Sequence, residues 1–395
     1  MIIGLVGKPS SGKSTFFKAA TLAEVEIANY PFTTIEKNEG VGYVRVKRVD
    51  KEFGKIANPR FGYLAGDYRF VPVQMIDVAG LVPGAYEGKG RGNQFLDDLR
   101  EADVLIHVVD ISGGTDENGE PCKALSHDPG RDVEFLENEI DMWYLGILKK
   151  GWAKLSRQIS QENLDIKKIL AKQLSGLKVD EEMVQDSLKE LNLSHKVVEW
   201  TDNDMKSLAT SLRKKTKPII IAANKIDVEG AKFEFDKVKK RFKDLMIIPC
   251  SSEVELALRE ASKHKLIEYI PGGSSFKVVG NLNEKQKQGL SFVEKFLKDF
   301  GKSGVQEVLD RSVFELLKYI AIFPGGVGKM EDSEGRVLPD CFLMKDGITA
   351  LDFAYKLHTD IGDSFVKAID IRSKRAVGKE YKLKHRDLIE IKTSK

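Results

Sequence analysis

Cysteine is scarce: three in 395 residues, Cys122, Cys250 and Cys341, far apart and without metal-ligand spacing. That excludes a disulfide framework and points to a reducing compartment. Long hydrophobic runs are lacking as well, and no stretch approaches the roughly 20 apolar residues a bilayer crossing needs. The opening Met1-Ile2-Ile3-Gly4-Leu5-Val6-Gly7 has no basic segment and runs straight into a glycine loop, so it reads as a buried strand rather than a signal peptide. Excess charge of one sign is missing too. Against 63 Lys and Arg stand 60 Asp and Glu, and the net +3 is too small for a general affinity for nucleic acid. Any basic footprint is therefore local. The sequence has no internal repeat and no low-complexity tract. The expectation is a cytoplasmic protein with no membrane or DNA partner.

What is present is ordinary globular composition, 42% apolar and 31% charged. At this length two or three domains are expected. Ile2 to Val6, Val71 to Ile76, Val104 to Val109 and Pro218 to Ala223 are short, branched, nearly continuous apolar runs, the pattern of strands buried on both faces. Leu245 to Pro249 adds a fifth. Helical patterns lie between them, which predicts an α/β domain with a parallel-rich sheet. From about Asp128 to Lys215 the rhythm changes to charged, helix-favouring stretches such as Asp132 to Ile147 and Leu155 to Leu174. This segment reads as a helical insertion, of which a coiled-coil-like hairpin is one form, or as a set of surface helices with no separate role. A second helical stretch runs from Glu255 to about Tyr319, punctuated by Pro271-Gly272-Gly273 and Gly301. Beyond Phe323-Pro324-Gly325-Gly326, short alternating runs (Val337 to Leu343, Phe365 to Ile371, Leu388 to Ile391) and a helix-like Ala350 to His358 predict a small α+β domain. The divisions read as 1–127 and 216–317 for the α/β domain, 128–215 for the helical segment and 318–395 for the last domain.

The densest signal is Gly7-Lys8-Pro9-Ser10-Ser11-Gly12-Lys13-Ser14-Thr15, a G-x-x-x-x-G-K-[ST] pattern between a predicted strand and a predicted helix. Glycines let the backbone curl so that N–H groups point at phosphate oxygens, and the following helix adds its positive end. Lys13 brings charge to the β- and γ-phosphates, and Ser14 offers a hydroxyl to magnesium. Strand Val71 to Ile76 delivers Asp77-Val78-Ala79-Gly80. Asp77 suits the second side of the magnesium, usually through water, and Gly80 brings a backbone N–H to the γ-phosphate. In Asn29-Tyr30-Pro31-Phe32-Thr33-Thr34 a threonine completes the metal shell, Thr34 being favoured over Thr33; the alternative is an ordinary surface loop. Gly84, Gly88, Gly90 and Gly92 suit either a segment with two conformations or a floppy exposed loop.

Strand Pro218 to Ala223 ends in Asn224-Lys225-Ile226-Asp227, an N-K-x-D pattern. The Asp227 carboxylate can accept from both the ring N1–H and the exocyclic amine of guanine, a donor pair adenine lacks. The Lys225 stem covers one face of the base. Ser251 and Ser252 follow the next strand, where a backbone N–H meets guanine O6. GTP or GDP with Mg2+ is the ligand these elements imply together.

The ordered set Gly7–Thr15, Asn29–Thr34, Asp77–Gly80, Asn224–Asp227 and Ser251–Ser252 resembles the Obg-related translation-factor GTPases. The run from Ala79 to Ala85, the later Gly88, Gly90-Arg91-Gly92-Asn93 and Phe95-Leu96, and Arg100 to Asp110 extend the resemblance. Two features make the YchF/OLA-like branch the nearest: the helical segment before Asn224, and a C-terminal stretch similar to a TGS (ubiquitin-like) domain at Tyr355 to Ile361 and Leu388 to Ile391. The resemblance implies a slow GTPase acting as a nucleotide-dependent switch on ribosomes or RNA. Three departures matter. The main YchF-like branch has a degenerate base-reading motif and favours ATP, whereas Asn224 to Asp227 is intact here, as in a separate, largely archaeal sub-branch. Ser10 stands where relatives often carry the asparagine that supports potassium stimulation. Leu81 stands where many GTPases place the glutamine that orients the attacking water, a substitution the family shares. The catalytic group is thus not named by the sequence. The alternatives are a nucleotide-regulated RNA- or ribosome-binding module with negligible turnover, and an ATPase. Arg372, Lys374, Arg375, Lys379, Lys382, Lys384 and Arg386, with Tyr381 among them, are either a basic stripe for phosphate backbone or a solvated face.

Overall fold

The apolar runs of the first two thirds of the chain assemble into one seven-stranded sheet. The computed structural model describes residues 1–22, 38–78, 98–332 and 334–394. In chain order, β1 (Ile2–Val6) leads through the glycine loop into α1 (Lys13–Thr21), followed by β2 (Glu39–Lys47), β3 (Tyr63–Ala65), β4 (Tyr68–Asp77) and β5 (Val104–Asp110). The sheet is completed by β6 (Ile219–Asn224) and β7 (Met246–Pro249) in the order β2-β4-β1-β5-β6-β7, with β3 on β4. Strands β4, β1, β5, β6 and β7 run parallel, while β2 and β3 are antiparallel to β4. β5 shows why its sequence is apolar throughout: Val104, Ile106 and Val108 enter one core while Leu105 and Val109 enter the other.

Strand β2 was not legible in the sequence because Gly40 and Gly42 interrupt its alternation. The fold uses one of these gaps for close approach. A Cβ on Gly40 would lie 2.7 Å from the Phe17 ring of α1.

Residues 128–215 form α2 (Pro129–Lys149), α3 (Trp152–Glu162), α4 (Ile166–Gln173), α5 (Glu181–Glu190) and α6 (Asp202–Thr216). Asp128 caps α2 on Gly130 N, and Thr201 with Asp204 forms a reciprocal capping box on α6. Val133, Leu136 and Ile140 of α2 and Leu208 and Leu212 of α6 share one core with Leu105, Val109 and Ile221 of the sheet.

After α7 (Ala231–Arg241) and α8 (Ser252–Lys263), the stretch expected to be helical contains a hairpin. Pro271-Gly272-Gly273 is the turn region between β8 (Ile267–Tyr269) and β9 (Phe276–Val278). Strands of three residues are too short to leave a readable period. Then come α9 (Glu284–Phe300), α10 (Val305–Arg311) and the strand β10 (Tyr319–Pro324), which opens the C-terminal unit. That unit adds β11 (Phe342–Lys345), α11 (Ala350–Leu357), α12 (Thr359–Asp363), β12 (Phe365–Asp370), β13 (Arg375–Val377) and β14 (Asp387–Thr393), in the sheet order β11-β10-β14-β12-β13. The strand predicted over Val337 to Leu343 begins only at Phe342. Pro339 interrupts the run, and the Leu338 and Pro339 carbonyls accept instead from Arg69 Nη1 and Nη2 at 2.6 and 2.5 Å. Ala321, Phe323 and Leu388 join the same core as Leu5 and Val71, so the C-terminal sheet is anchored on the first. Among the described residues no helix is long and apolar enough to cross a membrane.

His107 sits inside this sheet. Burial first, then the nearby Lys8 charge, lowers its pKa from 6.5 to about 3. The folded protein therefore keeps His107 neutral, whereas the unfolded chain takes up a proton below about pH 6.5. Its contribution is complete above pH 6.5 and is lost as the pH falls toward 3. At pH 5 the loss is about 2 kcal/mol. Urea melts at pH 7 and pH 5 check this: His107→Leu is expected to lose about 2 kcal/mol less than the parent between the two. An equal loss in both proteins would refute the assignment.

Candidate nucleotide-binding site

The glycine loop between β1 and α1 and the loops after β6 and β7 meet around one cavity of about 630 Å³. Lys8 to Ser10, Gly12 to Thr15, Asn224, Lys225, Asp227, Val228, Ser252 and Glu253 line it. Pieces more than 200 residues apart converge because β1, β5 and β6 are adjacent parallel strands whose carboxyl ends open on the same edge. Gly12 shows how closely they approach. Its φ is 91°, and a Cβ there would fall 2.2 Å from Asn224 Nδ2.

Several of the expected residues brace the site from within the protein. Asn224 Nδ2 donates to Ser11 O at 2.9 Å, and its Oδ1 accepts from both Ser252 N and Ser252 Oγ at 2.9 Å. Asn224 thus ties the phosphate loop to the turn after β7. Lys225, at φ 63°, stretches its ammonium to Ser10 O at 2.9 Å and Asp110 Oδ2 at 2.8 Å. Lys8 turns its side chain away, to Thr115 O, Asp116 O and Asp132 Oδ2, each at 2.8 Å. Of the phosphate-loop residues it therefore offers only backbone to a ligand. Ser251 caps α8 through Val254 N, and its own N–H is held by Ser303 O at 2.8 Å.

The first turn of α8 can be counted in full. A helix leaves its first four N–H groups without intrahelical partners. Ser251 N is bonded to Ser303 O, Ser252 N to Asn224 Oδ1 and Val254 N to Ser251 Oγ. The fourth belongs to Glu253, which lines the cavity. The two serine amides named from the sequence are thus engaged, and their neighbour is the donor left over among the described residues.

Asp227 differs from its neighbours. Its Oδ1 is buried and has no hydrogen-bond partner among the described residues. An unpaired buried carboxylate oxygen costs free energy, so its place on a cavity calls for donors from a ligand. At the other end, Lys13 Nζ lies 2.6 Å from Asp77 Oδ1 and 2.6 Å from Val78 O. Asp77 thus holds the ammonium, Ser14 lines the cavity, and both offer hard oxygen donors of the kind magnesium takes. Thr34, Gly80, Leu81, Gly84, Gly88, Gly90 and Gly92 lie outside the described residues.

Residues 2–139 match the family model described as 50S ribosome-binding GTPase, residues 222–326 that of the Obg-like GTPase YGR210-like, G4 motif-containing domain, and residues 333–393 that of the TGS domain. An uncharacterized GTP-binding protein of Methanocaldococcus jannaschii is 47% identical over 391 residues, 99% of this chain and 98% of that protein. A crystal structure of a GTP binding protein from Pyrococcus horikoshii OT3 superposes with a TM-score of 0.79 at 39% identity, covering 100% of both chains. The ribosome-binding ATPase YchF of Mycoplasma genitalium is 28% identical over 380 residues, 92% of this chain and 86% of that protein. The chain belongs to the Obg-like GTPases of the YchF type.

Asp110, which the motifs of this GTPase did not single out, is fully buried. Besides Lys225 it holds Ser112 Oγ at 2.5 Å and Thr115 Oγ1 at 3.1 Å. The loop it anchors lies on the phosphate loop, where a Cβ on Gly119 would come 2.7 Å from Pro9. The available signal was an acid closing an apolar strand, the same pattern that marked Asp77.

The TGS domain of this GTPase divides the expected basic stripe. Arg372 Nε pairs with Glu52 Oε2 at 2.7 Å, and Arg386 pairs with Glu52 and donates to Lys47 O. These two arginines dock the domain. Lys374, Arg375, Lys379, Lys382 and Lys384 remain exposed. Tyr381 packs on the TGS core rather than standing clear of it.

Proposed function

We infer that this GTPase binds GTP with Mg2+ in the cavity, hydrolyses it slowly, and uses the two nucleotide states as a switch on ribosomes. The observation that carries the reading is the unpaired Asp227 Oδ1 in the same cavity as Lys13. Asp227 accepts from the two guanine donors, the Glu253 N–H meets O6, and the Lys225 stem covers the base. Gly7 to Thr15 wrap the phosphates, and Ser14, Asp77 and Thr34 hold the metal, which neutralises phosphate charge when bound. Slow turnover follows from Leu81, which cannot hydrogen-bond a water. The ribosomal setting is supported by the description of the model matching residues 2–139 and by the relative described as ribosome-binding. The exposed lysines of the TGS domain suit RNA phosphate.

Single-turnover cleavage of labelled GTP, with and without ribosomes, tests this. The expected result is a slow basal rate that ribosomes raise. No cleavage above background in either condition would leave a nucleotide-gated binding module instead. Competition against labelled GDP tests the base. ATP displacing it as well as GTP does would make the protein an ATPase like the relative so described.

A further inference from the structure

A buried polar chain runs behind the base-reading turn. Glu255, one turn into α8, is fully buried. Its Oε1 accepts from Arg259 Nε at 2.6 Å, and its Oε2 accepts from Tyr269 OH at 2.8 Å and from Ser303 Oγ. The same Ser303 presents its carbonyl to Ser251 N–H. Arg259, also buried, extends to Leu22 O at 3.2 Å at the end of α1 and to Gln306 Oε1 at 3.1 Å. Gln306 in turn donates to Tyr43 O of β2 at 2.7 Å.

A buried ion pair is a poor device for stability, because desolvation offsets the attraction and apolar side chains fill the same volume as well. What it supplies here is direction. The two amides that precede the Glu253 N–H are held by distant parts of the chain: Ser252 by Asn224, and Ser251 by Ser303. Ser303 is itself a loop residue, between Gly301 and Gly304, and has no helix or strand to hold it. Two features hold it in place. Its hydroxyl is bound to Glu255, and the adjoining backbone presses on the reader turn so closely that a Cβ on Gly304 would lie 2.1 Å from Pro249 O. Glu255 is oriented in turn by Arg259, whose other contacts reach α1 directly and β2 through Gln306, outside the base site.

We propose that Ser303 and Glu255 are positioning residues for guanine recognition: they set the aim of the Glu253 N–H at O6 by fixing the Ser251 amide. This rests on the guanine reading above. It adds that discrimination at position 6 of the base depends on residues about 50 positions apart that touch no nucleotide.

The test is the ratio of affinities for GDP and 6-thioguanosine diphosphate. The thio-nucleotide keeps both donors for Asp227 and the whole diphosphate, and replaces only the oxygen facing Glu253 by a larger, weaker acceptor. The parent protein is expected to prefer GDP by about five- to tenfold, the worth of one good hydrogen bond. Ser303→Ala, which removes only the hydroxyl, is expected to bring that ratio toward one, with affinity for the thio-nucleotide changed less than about twofold. Glu255→Gln is expected to act in the same direction, with thermal melts reporting whether the fold persists. If Ser303→Ala weakens both nucleotides equally, or neither, the residues support the fold alone and the proposal is overturned. If the parent itself shows no preference, the reading of the Glu253 amide fails first and the proposal with it.

Discussion

Asp227→Asn is expected to cut affinity for GDP and GTP by two to four orders of magnitude and to create affinity for xanthosine diphosphate. The carboxylate has a buried oxygen with no partner among the described residues, so two charge-assisted bonds from guanine are what it gains on binding. Each is worth about 1.5–3 kcal/mol, and losing both gives on the order of 10²–10⁴ in Kd. The asparagine amide turns a donor toward position 2 of the base. There guanine presents a second donor, while xanthine presents a carbonyl that accepts. The sign of the selectivity therefore inverts rather than fades. Fold stability is expected to hold or rise slightly, because the substitution removes an unpaired charge and breaks no protein hydrogen bond made by that oxygen. Titration of both nucleotides into both proteins, with melts alongside, reads all of this. Equal weakening toward guanine and xanthine would show that Asp227 shapes the cavity without reading the base.

The parts of this site that the sequence displays are those whose chemistry is local. β1 occupies Ile2–Val6, and the nine residues after it hold the whole phosphate loop. Such a loop works through its own backbone, so its requirements appear as glycines at fixed spacing. The fold of the first domain was legible for a related reason: strands buried on both faces leave unbroken apolar runs, as in β5 and β6. What the sequence hides is who braces whom. Asn224 and Lys225 belong to the base-reading motif, yet both spend their side chains on the phosphate loop, 213 and 215 residues away. Arg372 looks like part of a basic stripe until Glu52, 320 residues earlier, is found beside it. Ser251 and Ser252 give no sign in the sequence that their amides are claimed, one by a carbonyl of a distant loop and one by a side chain. Each is a pairing decided by tertiary packing, and no spacing rule along one chain carries it.

These braces join two ends of one cavity that carry different charged side chains, Asp227 at one and Lys13 at the other. Lys13→Ala is expected to weaken GTP by on the order of 10²–10³-fold and GDP by less. The ammonium is largely buried, with 13% of its side chain exposed, so its attraction for a phosphate oxygen is only partly screened. At an effective dielectric near 20, one pair of unit charges about 4 Å apart is worth about 4 kcal/mol. The loss compounds, because Asp77, now 2.6 Å from Lys13 Nζ, would keep its negative charge beside the phosphates with no cation to offset it. Mg2+ restores part of that balance, so the defect is expected to be deepest at low magnesium and to shrink as the ion is raised. The γ-phosphate adds charge nearest to Lys13, which is why GTP suffers more than GDP. Base selectivity is a separate matter. The variant is expected to keep the parent ratio of GDP to xanthosine diphosphate, because the Lys13 ammonium is bonded to Asp77 and Val78 rather than to Asp227, Asn224 or the turn at Glu253. Titrations at two magnesium concentrations measure both quantities. Unchanged triphosphate affinity would remove the phosphate-loop assignment, and a collapse of the base ratio would mean that the two ends of the cavity are not independent.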